Sequence, residues 1–173
     1  MKDSIAPQTQ IAFHNLNGLI HGIAIDGHIS KSEFDALKSW CQTHESICKE
    51  DPFHSFYSEI RDIIKSGILG SEEIFELKST IQKFKNDFEE KDHVKSDLHY
   101  LQGLVYGIIV DGDINKYELN LLHNWLLENS HLKTKTPFDE FFETIRKAKE
   151  KKTFSPEEYK QLMNFLKKFL KYD

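Results

Sequence analysis

Glycine and proline are scarce in this 173-residue chain, with 8 and 4 residues. That supply suits helices joined by short loops better than a sheet-rich fold with many tight turns. Cysteine is scarcer still. Cys41 and Cys48 form no CxxC pair, which argues against a zinc ribbon or a redox dithiol. Long apolar runs are also missing. "GLIHGIAI" and "GLVYGIIV" fall well short of the roughly 20 residues that a membrane-spanning helix needs. The N-terminal "MKDSIAPQTQ" lacks the apolar core of a signal peptide. The expectation is a cytoplasmic protein with reduced thiols and no membrane partner. A strong charge is lacking too. The net charge is −5; residues 1–92 hold 10 basic and 16 acidic residues, and residues 93–173 hold 13 and 12. This asymmetry is too small to announce nucleic acid as a partner.

What the chain does contain is a repeat of itself. Shifted by 85 positions, residues 14–84 align with 99–169 without a gap, and about a third of the positions are identical. Gly18 and Gly22 meet Gly103 and Gly107. Asp26 and Gly27 meet Asp111 and Gly112. Ile29, Glu33, Leu37 and Trp40 meet Ile114, Glu118, Leu122 and Trp125. Pro52 and Phe53 meet Pro137 and Phe138, and Arg61 meets Arg146.

Apolar spacing predicts four helices per repeat: 9–25, 31–45, 53–66 and 72–88 in the first, and 95–110, 116–129, 138–151 and 156–171 in the second. Ser30-x-x-Glu33 is a full capping box, Ser71 is expected to open the fourth helix, and Ser155-Pro156-Glu157-Glu158 is a strong helix start. The charged run "FKNDFEEKDHVKSD" joins the repeats as a helix tail and short loop. Gly18 and Gly22, like Gly103 and Gly107, lie four apart inside predicted helices. Each costs about 1 kcal/mol against alanine there, so another helix backbone is expected to approach closely at these glycines.

"AIDGHISKSEF" and "VDGDINKYEL" look like the back half of a calcium-binding loop. With Gly27 at the sixth position, Asp26 is fifth, Ile29 eighth and Glu33 twelfth, as an EF-hand requires. The first and third positions hold Gly22 and Ala24, or Gly107 and Ile109, so two carboxylate ligands are missing in each copy. Calcium takes about six to eight oxygens, which the loop alone cannot supply. A helix corner accounts for the same residues. Gly27 and Gly112 end a helix in the left-handed conformation, Ile29 and Ile114 enter the core, and Ser30 and Asn115 cap the next helix with Glu33 and Glu118. The metal alternative draws on Asp26, Glu33, Asp111, Asp113 and Glu118, with calcium or another divalent cation as cofactor. Asp113 favours the second copy, since His28 takes its place in the first.

The pattern G-x-x-x-D-G-x-I-x-x-x-E between two helices resembles the TerB-like domain of bacterial tellurite-resistance proteins. "GLVYGIIVDGDINKYELNLLHNWLLEN", continuing to "PFDEFFETI", is most similar to short TerB-like modules found beside BRCT or exonuclease-like domains. The resemblance covers both repeats, about 140 residues. It implies an all-helical accessory module in a stress, DNA-damage or phage-defence system. It also implies acidic metal ligands, carried here by Asp26, Glu33, Asp111 and Glu118.

Other chemistry has little support. His14, His21 and His28 recur every seven residues without an HExxH pattern or a Cys/His cluster. No G-x-S-x-G or Walker loop occurs, so no enzyme and no catalytic residue is expected. Arg61 and Arg146 lie in otherwise apolar third helices. An ion pair to an acidic residue of the same repeat is expected for each, with Asp26 or Glu33, and Asp111 or Glu118, as candidates. The lysines at 147, 149, 151, 152, 160, 167, 168 and 171 form a basic C-terminal stretch that would suit an anionic partner, such as nucleic acid or an acidic protein. Phe165 and Phe169 fall at core spacing within it.

The reading is an all-α protein of two tandem four-helix TerB-like repeats packed with pseudo-twofold symmetry. Residues 1–8 form a tail, 9–88 the first repeat, 89–94 a linker and 95–173 the second repeat. Trp40 and Trp125, with the helix glycines and the two arginines, are its structural residues. The expected role is interaction with an unidentified protein partner. A divalent-metal sensor and a nucleic-acid binder are the alternatives.

Overall fold

The structure, a computed structural model, describes residues 7–24, 29–47, 51, 53–65, 67, 70–88, 93–110, 112 and 114–172. Among them are eight α-helices and no strand: α1 (Pro7–Ile23), α2 (Lys31–Thr43), α3 (Phe53–Ile64), α4 (Ser71–Phe84), α5 (His93–Ile109), α6 (Lys116–Glu128), α7 (Phe138–Glu150) and α8 (Pro156–Phe169). Short 3-10 turns follow α2 (Glu45–Ile47), α4 (Lys85–Phe88) and α6 (Ser130–Leu132). Each helix boundary lies within two residues of its expected position except the end of α4, which stops at Phe84, four residues short, where a 3-10 turn takes over. None is long and apolar enough to cross a membrane.

The chain divides into two compact units, Met1–Asp111 and Gly112–Asp173. The first holds α1–α5 and the second α6–α8. Helix α5 joins the first unit because its backbone touches that of α1. A Cβ on Gly18 would lie 1.9 Å from Tyr100 O, and one on Gly103 would lie 2.0 Å from Asn15 O. A Cβ on Gly22 or Gly107 would meet Leu104 O at 2.5 Å or Leu19 O at 2.7 Å. Main chain faces main chain at all four positions, where Cα–H groups approach carbonyl oxygens. The expectation of a close helix approach is met, and it explains glycine inside two helices.

The core of the first unit is aromatic. Phe13 stacks on Phe88 at 4.6 Å between ring centroids and meets Phe56 at 4.9 Å, and all three rings are fully buried. Trp40 Nε1 donates to Asn15 Oδ1 at 2.9 Å, which ties α2 to α1 through a part-buried polar contact. Tyr57 Oη donates to the Cys41 carbonyl at 3.2 Å, linking α3 to α2. His14 is buried, and its Nε2 donates to Phe88 O at 3.0 Å. In the second unit, Phe141 is fully buried against Phe169 at 4.5 Å and Phe165 at 5.9 Å. Those rings are core or core-edge groups, as their spacing indicates, rather than a platform for bases. Trp125 is half-buried, unlike Trp40.

Two expectations are corrected. Ser71 is the first residue of α4, not its cap. Gly70 takes the cap position, and its N–H donates to Glu73 Oε2 at 3.1 Å. Arg146 does not pair with Glu118. It is exposed on α7 and binds the neighbours one turn away, Glu143 (Nε to Oε2, 3.2 Å) and Glu150 (Nη1 to Oε1, 3.0 Å). Helix spacing favours this, since residues three and four apart share a face. Arg61 is likewise exposed, with its guanidinium 6.0 Å from the Tyr57 ring centroid rather than paired with Glu33. Asp26 and Asp111, the other expected partners, lie outside the described residues.

Candidate functional site

The two Asp-Gly corners are built by capping. In the first, Ser30 adopts an extended backbone. Its Oγ accepts from Glu33 N at 3.3 Å, while Ser30 N donates to Glu33 Oε1 at 2.9 Å. In the second, Asn115 Oδ1 accepts from Glu118 N at 2.8 Å, and Asn115 N donates to Glu118 Oε1 at 2.9 Å. Ile29 is half-buried against the first core, and Ile114 is buried. Ile114 N donates to Tyr159 Oη at 2.9 Å, which fastens the second corner to α8. Gly112 has φ +84, the left-handed conformation that glycine tolerates. Asp26, Gly27, Asp111 and Asp113 lie outside the described residues.

The described residues fit a calcium loop poorly. The twelfth-position glutamate of such a loop gives both oxygens to the ion. Here one oxygen of Glu33 and of Glu118 already accepts a cap amide. The first ligand position is closed as well: Gly22 and Gly107 face the partner helix backbone within 3 Å, leaving no room for a side chain. Among the described residues, no three His, Cys, Asp or Glu side chains gather as an ion site.

Ionisation follows local contacts. Burial holds the His21 imidazole below its usual pKa, opposed by its Nδ1 bond to Asn17 O at 2.8 Å. Asp51 is held low by Ser55, whose hydroxyl and N–H both donate to it at the start of α3. Arg146 likewise lowers Glu143. Partial desolvation, and then Lys149 and Arg146, lower His123, whose Nδ1 accepts from Lys149 Nζ at 3.2 Å. Apart from the part-buried His21, these are surface and capping contacts.

The outer helix faces are more informative. Helices α3 and α4 form an open groove of about 350 Å³ lined by Glu59, Asp62, Ile63, Phe75, Glu76, Ser79 and Thr80. Phe75 is 71% exposed on its edge. Glu59 Oε1 accepts from Lys83 Nζ at 2.9 Å, while Oε2 is buried with no donor in reach among the described residues. Helices α7 and α8 form a groove of about 240 Å³ lined by Thr144, Lys147, Ala148, Lys151, Phe154, Glu158, Gln161, Leu162 and Phe165. Five of these positions match first-groove positions at the 85-residue offset, and their chemistry changes. Glu59, Asp62, Ile63, Glu76 and Thr80 become Thr144, Lys147, Ala148, Gln161 and Phe165.

Sequence reading missed this face. Phe75 stands beside the core residue Ile74, and periodicity alone does not mark an exposed aromatic as unusual. The changes from Asp62 to Lys147, Phe75 to Lys160 and Thr80 to Phe165 were present in the repeat alignment and were the available signal. No family model, curated protein or solved structure matches the chain.

Proposed function

We propose that this chain is a non-enzymatic protein-interaction module that docks a basic, partly apolar segment of a partner on the α3–α4 face. One observation carries the reading: Phe75 presents 71% of its surface to solvent at the edge of a groove rimmed by Glu59, Asp62 and Glu76. Exposed apolar patches rimmed by polar residues mark interaction sites, and here Phe75 and Ile63 line one groove. Aromatic anchors dominate interface energies, and an acidic rim speeds encounter with a basic partner. The capping use of Glu33 and Glu118 supports corners in place of ion sites.

The same proposal includes two TerB-like repeats and service in a bacterial or phage stress, DNA-damage or defence system, as the motif resemblance implies. Helix lengths support the repeat: 17, 13, 12 and 14 residues in α1–α4 against 17, 13, 13 and 14 in α5–α8. So does the α1–α5 contact. Gly18 faces Tyr100 and Leu104, and Gly103 faces Asn15 and Leu19, which are the same positions exchanged at the 85-residue offset. A local twofold relation between these two helices accounts for that exchange.

The test is quantitative capture from native lysate with wild-type and Phe75→Glu baits. Phe75 is exposed, so the substitution leaves the helices intact. At least one protein held by the wild type is expected to drop about tenfold or more on the variant, the factor of a 1.4 kcal/mol loss. Identical sets of retained proteins would overturn the reading.

A further inference from the structure

We infer that the Phe75 face receives a second copy of this chain, through the α7–α8 groove of that copy. The inference rests on the docking reading above and names its partner.

Equivalent positions of the two units carry different side chains. The first unit carries the knob, Phe75, whose counterpart in the second unit is Lys160. The second unit carries the socket, lined by Phe154, Leu162 and Phe165. The first-unit counterpart of Phe165 is Thr80. Each chain therefore has one aromatic knob, on α4, and one aromatic socket, between α7 and α8. Phe154 and Phe165 are half-buried, so part of each ring faces the groove opening. Aromatic rings prefer offset or edge-on partners, which a phenyl ring entering between them would supply.

Charge follows the same polarity. The knob is framed by Glu59, Asp62 and Glu76, and the socket by Lys147 and Lys151. Lys151 is already paired with Glu158, the one carboxylate in the socket. Lys147 is 66% exposed and reaches Glu143 only at 3.9 Å, which leaves it able to meet an incoming carboxylate. Two copies that exchange both contacts close as a twofold dimer, and copies that make one contact each way form head-to-tail chains, or rings where the rotation closes.

The experiment is sedimentation velocity on the full chain over a range of concentrations, at low and high sodium chloride. The wild type is expected to exceed monomer mass as concentration rises, and to weaken in salt. Phe75→Glu and Lys147→Glu change exposed positions, and each is expected to weaken association at least about 30-fold. Mixed together, the two variants retain one working socket and one working knob. They are expected to form a 1:1 complex and stop there. A wild type that stays monomeric throughout, or a mixture that stays monomeric, overturns the inference. If the wild type is monomeric while Phe75→Glu still loses a lysate partner, self-association fails and the docking function stands. If Phe75→Glu alters neither measurement, both fail.

Discussion

Gly18→Ala and Gly103→Ala are each expected to destabilise the protein by about 3 kcal/mol, the upper part of the usual range for overpacking. In a chain of this size that is a fall of roughly 6–12 °C in melting temperature. Helix propensity alone gives the opposite sign, since alanine is favoured over glycine by about 1 kcal/mol inside a helix. Sterics decide the outcome. The new methyl carbon would lie 1.9 Å from Tyr100 O or 2.0 Å from Asn15 O. Both obstacles are main-chain atoms of a helix, so relief requires α1 and α5 to separate. That separation would loosen the cores that flank the crossing, including Leu16, Leu19, Leu101 and Leu104, each at most 1% exposed. Thermal unfolding followed by circular dichroism checks this. A rise in melting temperature for either variant would show that the two backbones do not touch.

Phe88→Ala is expected to cost about 3–5 kcal/mol, as large-to-small changes at buried aromatic sites do. Phe88 is fully buried in the turn after α4. It stacks on Phe13, meets Phe53 edge-on and meets Phe56 at a tilt, the last two at 5.8 Å. Its carbonyl also accepts the buried His14 bond at 3.0 Å. The ring therefore closes one end of the first core. Asp87→Ala, one residue earlier and exposed, is expected to change stability by no more than about 0.5 kcal/mol. Urea unfolding of the two variants separates these outcomes. A Phe88→Ala cost below about 1 kcal/mol would mean that the ring is not part of the core.

Phe88 also shows where sequence reading stops. The helices were legible because their apolar residues recur at helical spacing, and because Ser30, Asn115 and Ser155 are good caps with glutamate three residues on. The paired glycines were legible because their cost demanded a close contact. Phe88 was not, since it lies in a run of charge and a 3-10 turn has no 3.6-residue period to display. Tyr159 was hidden for a different reason: its bond to Ile114 N links groups 45 residues apart. Asp51 stands two residues before α3, outside the usual cap position, so its bond to Ser55 was not anticipated. Arg146 was assigned a distant acid because its own helix was read for apolar spacing only, although Glu143 and Glu150 flank it at three and four residues. The docking face requires knowing which side of α4 is left uncovered. That is a property of packing, and periodicity narrows it without fixing it.

The central claim is that this chain acts through a helix face, with its Asp-Gly loops serving as corners. Thermal unfolding in EDTA and in saturating calcium, magnesium, manganese or zinc tests that claim most directly. An ion bound only by the folded state would raise stability by about 2.7 kcal/mol at a hundredfold excess over its dissociation constant. With Glu33 and Glu118 committed to cap amides and no room for a side chain at Gly22 or Gly107, the account predicts superimposable curves in every condition. A rise in melting temperature with one ion, abolished by Asp111→Ala, would contradict it and make "DGDINKYE" a metal site.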